Sequence, residues 1–272
     1  MRFSYTAIWE DTVRLLRAHA SLAVALAGVF LFLPSLLISY LRPMPQTSNP
    51  ADLLPQLSEY FAGNAHWIIL GGILGMAGTL AILMLVFRRP GIAVGAAIVA
   101  ALSLLPFYFV ANLLVSIPVV IGVLLFVVPG LYLLGRLLPI APVMVAEERR
   151  GPVGAIGRTW ALTRGHGWAV LGLFLLVFIA GFILTSVAGG LLILILNLAL
   201  PRDLASFVGL IVSTATSTAL QVVLIFLYAA IYRALSARAE AVGSAEVLAA
   251  PSGIARTTGT GSGVPVDDNS AV

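Results

Sequence analysis

The chain has 272 residues, of which 60% are hydrophobic and 10% charged, with a formal net charge of +4. A soluble domain carries charge on about a quarter of its positions, so the composition is that of an integral membrane protein. All fifteen basic residues are arginine and cysteine is absent. Basic loops facing an anionic leaflet account for the charge without a nucleic-acid partner, and there is no disulfide framework, thiol nucleophile or cysteine metal site.

In chain order, an N-terminal segment with Ile8, Trp9, Val13 and Leu16 on one stripe, beside Arg14 and Arg17, reads as a helix lying on the membrane surface. A retained first span over residues 21–39 follows it, longer than a signal-peptide core. Asn49 as a cap and Pro50 at the first turn predict a short second surface helix, then a span over 66–87. The stretch "GIAVGAAIVAALSL" reads as a boundary helix before a hairpin of spans 105–127 and 131–146, with Pro129 and Gly130 as its turn. A third surface helix over 152–165 presents Val153, Ile156 and Trp160, the tryptophan at headgroup depth. Spans at 168–198 and 204–235 close the domain, with Gly189 and Gly190 as a candidate kink. Residues 239–272, rich in Gly, Ser, Thr and Ala, read as a disordered tail. The expected fold is all-α: six transmembrane helices with amphipathic interfacial helices on the cytoplasmic side.

With the N-terminus inside, twelve arginines fall on the cytoplasmic side and only Arg42 and Arg202 outside. The positive-inside rule therefore predicts a multi-pass membrane protein with both termini cytoplasmic. The phrases "TVRLLRAHAS" and "TWALTRGHGW" align on a shift of 147 residues, setting Thr12 on Thr159, Leu15 on Leu162, Arg17 on Arg164 and His19 on His166. Together with the middle hairpin they predict three units of surface helix plus hairpin, starting near residues 4, 91 and 152; reuse of interface residues is the alternative.

Catalytic chemistry finds little footing. No aspartate or glutamate lies in a predicted span, His19, His66 and His166 sit at boundaries on opposite faces, and there is no nucleotide loop or nucleophile elbow. No cofactor, metal site or catalytic residue is expected. Arg136, inside the fourth span, has three readings: snorkelling to the outer interface, pairing with backbone, or holding a lipid phosphate. Arg158, Arg164 and Trp160 are further headgroup candidates. Ser213, Ser217 and Gln221 share a face of the sixth span with Ser206 and Tyr228; they either line a polar path or bond a neighbouring helix, with Asn112 and Asn197 as partners. Gly71 and Gly75 suit close packing within the chain or between copies.

Residues 127–168, through Pro129, Gly130, Tyr132, Arg136, Pro142, Val143, Glu147, Arg158, Trp160, Leu162, Thr163, Arg164 and Gly165, resemble the signature of the glycerophosphoryl diester phosphodiesterase membrane-domain-like family and are similar to YciC-like uncharacterised bacterial inner-membrane proteins. In some members of that family the membrane region is fused to a soluble phosphodiesterase domain. Here that domain is expected to be missing, and the resemblance transfers no catalytic residue. The expectation is a non-catalytic inner-membrane protein supporting envelope or membrane-lipid homeostasis. A small transporter or flippase for an amphiphile, and an assembly partner of another membrane protein, are the alternatives. Membrane phospholipids are the expected partners, with a homo-oligomer or an unidentified membrane protein also open.

Overall fold

The computed structural model of the chain describes residues 4–45, 47, 49–88 and 94–249, with side chains through 241 and at 244. Every regular element among them is helical. Helix α1 (Tyr5–Ala27) passes through a π-helical segment (Gly28–Phe32) into α2 (Leu33–Leu41). Then come α3 (Pro50–Phe87), α4 (Val94–Leu125), α5 (Val127–Leu137), α6 (Ile140–Ala146), α7 (Pro152–Leu162), α8 (Gly167–Ala199) and α9 (Arg202–Ala249). Six helical stretches among these are long and apolar enough to cross a membrane, so the protein is an all-α, multi-pass membrane protein.

The predicted surface helices behave differently from expectation in three of four places. α1 starts at its Ser4 cap, which accepts from the Ala7 N–H at 3.3 Å, and continues without a break into the first span. Asn49 caps α3 as predicted, accepting from the Ala51 N–H at 3.2 Å, yet α3 runs on through the second span for 38 residues. That is about 57 Å of helix against a hydrocarbon core of about 30 Å, so its first half projects from the bilayer. Asn64 donates to the Tyr60 carbonyl at 2.9 Å, an in-helix bond at the point where the sequence suggested a boundary. The described part of the boundary helix before the middle hairpin likewise merges with the third span in α4; residues 91–93 lie outside the described residues. Only α7 stands apart from its span.

Proline decides two further departures. Pro34 can neither donate to the carbonyl four residues back nor fit its ring against it, and the chain widens ahead of it: the Leu33 N–H reaches the Gly28 carbonyl, five residues back. Pro129 and Gly130 are not the hairpin turn. Phe126, at φ −151° and ψ 118°, alone separates α4 from α5, and Pro129 sits in the first turn of α5, where its missing N–H costs nothing. Gly130 serves the crossing instead, since a Cβ there would lie 2.4 Å from the Val123 backbone nitrogen. Gly189 and Gly190 cause no break in α8. At the other end, α9 continues to Ala249, well past the predicted start of the tail; residues 250–272 lie outside the described residues.

The returning helices lean on the leading helix of the next unit: α3 on α4, α5 on α8 and α6 on α7, and α9 on α1. That cyclic order is what three parallel units require. The leading helices also bury residues at one spacing: Ile8, Thr12 and Leu15; Ala97, Ala101 and Leu104; Ala155, Thr159 and Leu162. Under the 147-residue shift the match between the first and third extends to Ala23 with Val170 and Leu26 with Leu173, all buried. Thr12 and Thr159 each donate to the carbonyl four residues back, Ile8 and Ala155, at 2.8 Å. The buried face combines alanine and threonine with Ile8 and a leucine in each copy, while Trp9, Val153 and Trp160 on the predicted apolar stripes face outward. Such packing suits a lipid solvent, which gives no hydrophobic drive between helices and rewards close approach. The same rule settles Gly71 and Gly75, which together with Gly78 receive Ile38, Leu31 and Phe30 of the first span within the chain.

Burial is concentrated at one end of the bundle. In α3 it runs from Ala77 to Leu85 and in α4 from Ala97 to Ala111. In α8 it covers the first two turns, with Gly189 the exception. Beyond these limits most large side chains, among them Leu176, Phe182, Leu184, Leu113 and Leu124, are exposed to the bilayer, although α8 and α9 still touch at Gly181–Leu220 and Ile193–Gly209.

Candidate functional site: a buried arginine clamp, an ion-paired end and an open polar crevice

Arg136 closes the last turn of α5, ahead of the break that Pro139 makes between α5 and α6. It is 4% exposed. Its Nε donates to Thr163 Oγ1 at 3.0 Å, Nη1 to the Tyr132 hydroxyl at 2.8 Å and Nη2 to the Trp160 carbonyl at 2.5 Å. The guanidinium carbon lies 3.9 Å from the centre of the Trp160 ring. Thr163 shares its own proton between the carbonyls of Thr159 at 2.8 Å and Arg136 at 3.0 Å.

No carboxylate pairs with Arg136 among the described residues. Its charge is met by dipoles: it lies at the C-terminal end of α5 and bonds the last turn of α7, two helix ends carrying partial negative charge. Three charge-assisted bonds at about 1.5–3 kcal/mol each match the several kcal/mol that desolvating an ion costs. The aromatic face adds a further cation–π attraction. Of the three readings of Arg136, the structure shows pairing with protein groups. The guanidinium is held between Tyr132, one turn back on α5, and the α7–α8 junction, which is the pairing reading with a side-chain hydroxyl added to the backbone carbonyl.

Glycine makes room for this clamp. Gly165 adopts φ +79°, a left-handed turn that stops α7 before α8. A Cβ on Gly167 would lie 2.5 Å from Arg136 Cδ and 3.1 Å from Tyr132 Cε2. One on Gly135 would lie 2.8 Å from the Gly167 carbonyl. Sequence reasoning missed Tyr132, Thr163 and Gly167 as parts of one site. The signal was present in the repeated phrase, which has Ala18 and Ala20 in its first copy and Gly165 and Gly167 in its third.

Around the clamp the same end is bound by ion pairs. Glu147 accepts from Arg158 Nε at 2.8 Å and from Arg149 Nε at 2.7 Å, with the Tyr232 hydroxyl at 3.4 Å. Burial alone would push its carboxyl up, but the Arg158 and Arg149 guanidinium groups outweigh this and hold it below the usual carboxylate value. Asp11 pairs with Arg14 and, at 3.4 Å, with Arg233; Glu148, at φ 49°, meets Arg88 at 3.4 Å. Asp11 and Arg158 are equivalent under the 147-residue shift, so both leading helices grip the preceding returning helix at the same point with opposite sign.

Arg158 is therefore tied to Glu147, and Trp160 to Arg136. Arg164 remains exposed. His19 bonds the Leu15 carbonyl, His66 lies beside Trp67 and His166 occupies the α7–α8 turn, so they form no cluster.

The sixth-span face lies elsewhere. Ser213, Ser217 and Gln221, together with Thr185, Ser186, Gly189 and Gly190 of α8, line a crevice of about 630 Å³ between α8 and α9, which touch on either side of it at Gly181–Leu220 and Ile193–Gly209. Gln221 also borders a second crevice of about 230 Å³ against the first and second spans. Asn112 and Asn197 do not serve this face: each donates to the carbonyl four residues back in its own helix, Tyr108 at 3.2 Å and Ile193 at 3.0 Å. Arg136 lines neither crevice.

Comparison of the chain with known protein families, curated proteins and solved structures finds no match.

Proposed function

We propose that this is a non-catalytic bacterial inner-membrane protein that holds membrane lipid as part of envelope or lipid homeostasis, with both termini cytoplasmic. The observation that carries the reading is the division of the bundle. One end is sealed by the Arg136 clamp and by ion pairs, while the other opens to the bilayer with a polar crevice between α8 and α9. The sealed end acts as a platform, and exposed Arg164 at the α7–α8 turn is placed to meet anionic headgroups. The resemblance to the glycerophosphoryl diester phosphodiesterase membrane-domain-like family supports this reading from another side. The residues that carry it include Tyr132, Arg136, Trp160, Thr163 and Gly165, the same ones that build the clamp.

Mass spectrometry of lipids co-purified with the protein tests the proposal: it predicts enrichment of a lipid class over the bulk membrane, and retained lipid of bulk composition contradicts it. The cysteine-free chain makes the orientation equally accessible. Single cysteines at Ser4 and Ser244 are expected to label only from the cytoplasmic face, and labelling of either from outside rejects that topology.

A small transporter or flippase is the second reading, favoured by the uncommitted polar groups of the crevice. It requires the ion-paired end to open, so lipid transfer across reconstituted vesicles should rise in Glu147→Gln and Asp11→Asn if it is right.

A further inference from the structure

In the open half of the bundle, most hydroxyls are already satisfied by their own helices. Thr185 donates to the Gly181 carbonyl at 2.9 Å, Ser213 to Leu210 at 3.0 Å, Thr216 to Val212 at 2.8 Å and Thr79 to Gly75 at 2.9 Å. Ser35, Ser186, Ser217 and Gln221 have no hydrogen-bond partner among the described residues. All four line the two crevices that meet at Gln221.

Depth makes that uncommitted capacity consequential. Gln221 lies deep in the apolar Arg202–Ala241 helix, 19 residues after Arg202 and 12 before Arg233, the arginines that flank it. A side-chain amide has two donors and two acceptor lone pairs, and leaving them unmet against hydrocarbon costs several kcal/mol. Lipid tails cannot meet them. A group carrying both donor and acceptor atoms can.

The lining also limits what that group is. No ionisable side chain borders either crevice, so a phosphate, carboxylate or ammonium would be left without a counter-charge in a low-dielectric setting. An uncharged head bearing hydroxyls loses nothing by this. About 630 Å³ lies within the range of small-molecule sites. Room for hydrocarbon is next to it: an apolar crevice of about 530 Å³, lined by Leu176, Val177, Ala180 and Val223, borders the polar one at Thr185 and Leu220. Gly189 and Gly190 keep the wall open, with nothing within 4 Å of where either Cβ would be.

We infer that the α8–α9 crevice binds the uncharged, hydroxyl-bearing head of a neutral lipid, with Gln221 and Ser217 as its hydrogen-bonding contacts. This rests on the lipid-holding reading above and names the class of lipid.

The test is native mass spectrometry of the full-length protein in detergent, titrated with diacylglycerol and, separately, with phosphatidylglycerol of the same acyl chains. Diacylglycerol is expected to bind more tightly. Gln221→Leu is expected to weaken it about fivefold or more, the equivalent of one neutral hydrogen bond. Gly189→Leu, which fills the crevice without meeting any atom at its Cβ, is expected to do at least as much. Ser116→Ala on α4, outside both crevices, leaves binding unchanged. Diacylglycerol binding no tighter than phosphatidylglycerol, or binding indifferent to both crevice substitutions, overturns the inference. Specific retention of phosphatidylglycerol alone overturns it while leaving the lipid-holding reading intact; retention of neither overturns both.

Discussion

The leading helices of the first and third units begin alike and end differently. Both bury a threonine that bonds its own helix, Thr12 and Thr159, and a leucine one turn later, Leu15 and Leu162. Past that point α1 runs straight into the membrane through Ala18, His19 and Ala20, whereas α7 stops at Gly165 and the chain restarts at Gly167. Of the five differences between residues 12–20 and 159–167, the two alanine-to-glycine changes, 18/165 and 20/167, fall where the third-unit helix breaks. The break exposes the Trp160 carbonyl and the Thr163 hydroxyl at a helix end, and Arg136 occupies that end. A buried cation without a carboxylate is thus tolerated because the end of α7 supplies acceptors beside it.

Removing the cation breaks this comparison most severely. Arg136→Leu leaves the Trp160 carbonyl, Thr163 and Tyr132 without their partner, and a loss of at least about 3 kcal/mol is expected, read as a drop in thermal unfolding temperature in detergent. Arg136→Lys should recover only part, since an ammonium cannot reproduce the three-way fork. Next comes Gly167→Ala, whose Cβ would lie 2.5 Å from Arg136 Cδ; about 1–3 kcal/mol of overpacking is expected. The reciprocal Ala20→Gly in the continuous copy should cost only about 1 kcal/mol in helix propensity. Equal losses at the two sites would show that the glycine is not there for the clamp.

The charged grips sharpen the same comparison at smaller scale. Glu147→Gln is expected to cost about 1 kcal/mol at neutral pH, its arginine partners being partly exposed. Because the folded-state value of Glu147 is depressed, its contribution is fully present above the ordinary carboxylate value of 4.5 and is lost as pH falls through the lowered one. Unfolding temperature should therefore fall in that acid window less steeply in Glu147→Gln than in wild type. Asp11→Asn at the equivalent grip of α1 should cost less than about 1 kcal/mol, since Arg14 is largely exposed and Arg233, as exposed as Arg149, is 3.4 Å away.

Hydropathy made the six spans legible, because about twenty apolar residues have few alternatives to crossing a bilayer. The places where helices stop were less so. Pro129 and Gly130 look like a turn in isolation, but proline is comfortable in a helix's first turn and the glycine was answering Val123 from the facing helix. The surface helices merged with their spans because nothing in "RAHA" or around Asn64 forces a stop. Arg136 was recognised as exceptional, yet its direction depended on a partner 27 residues along the chain, which no local pattern reveals. The uncommitted state of Gln221 and Ser217 was equally invisible, being a property of what neighbouring helices fail to offer.

The most direct measurement is the unfolding temperature of wild type and Arg136→Leu in lipid-free detergent and after addition of phospholipid. A clamp made of protein groups predicts the same large loss in both conditions. A loss that appears only when phospholipid is present would mean that Arg136 is held by a headgroup, and would contradict the account.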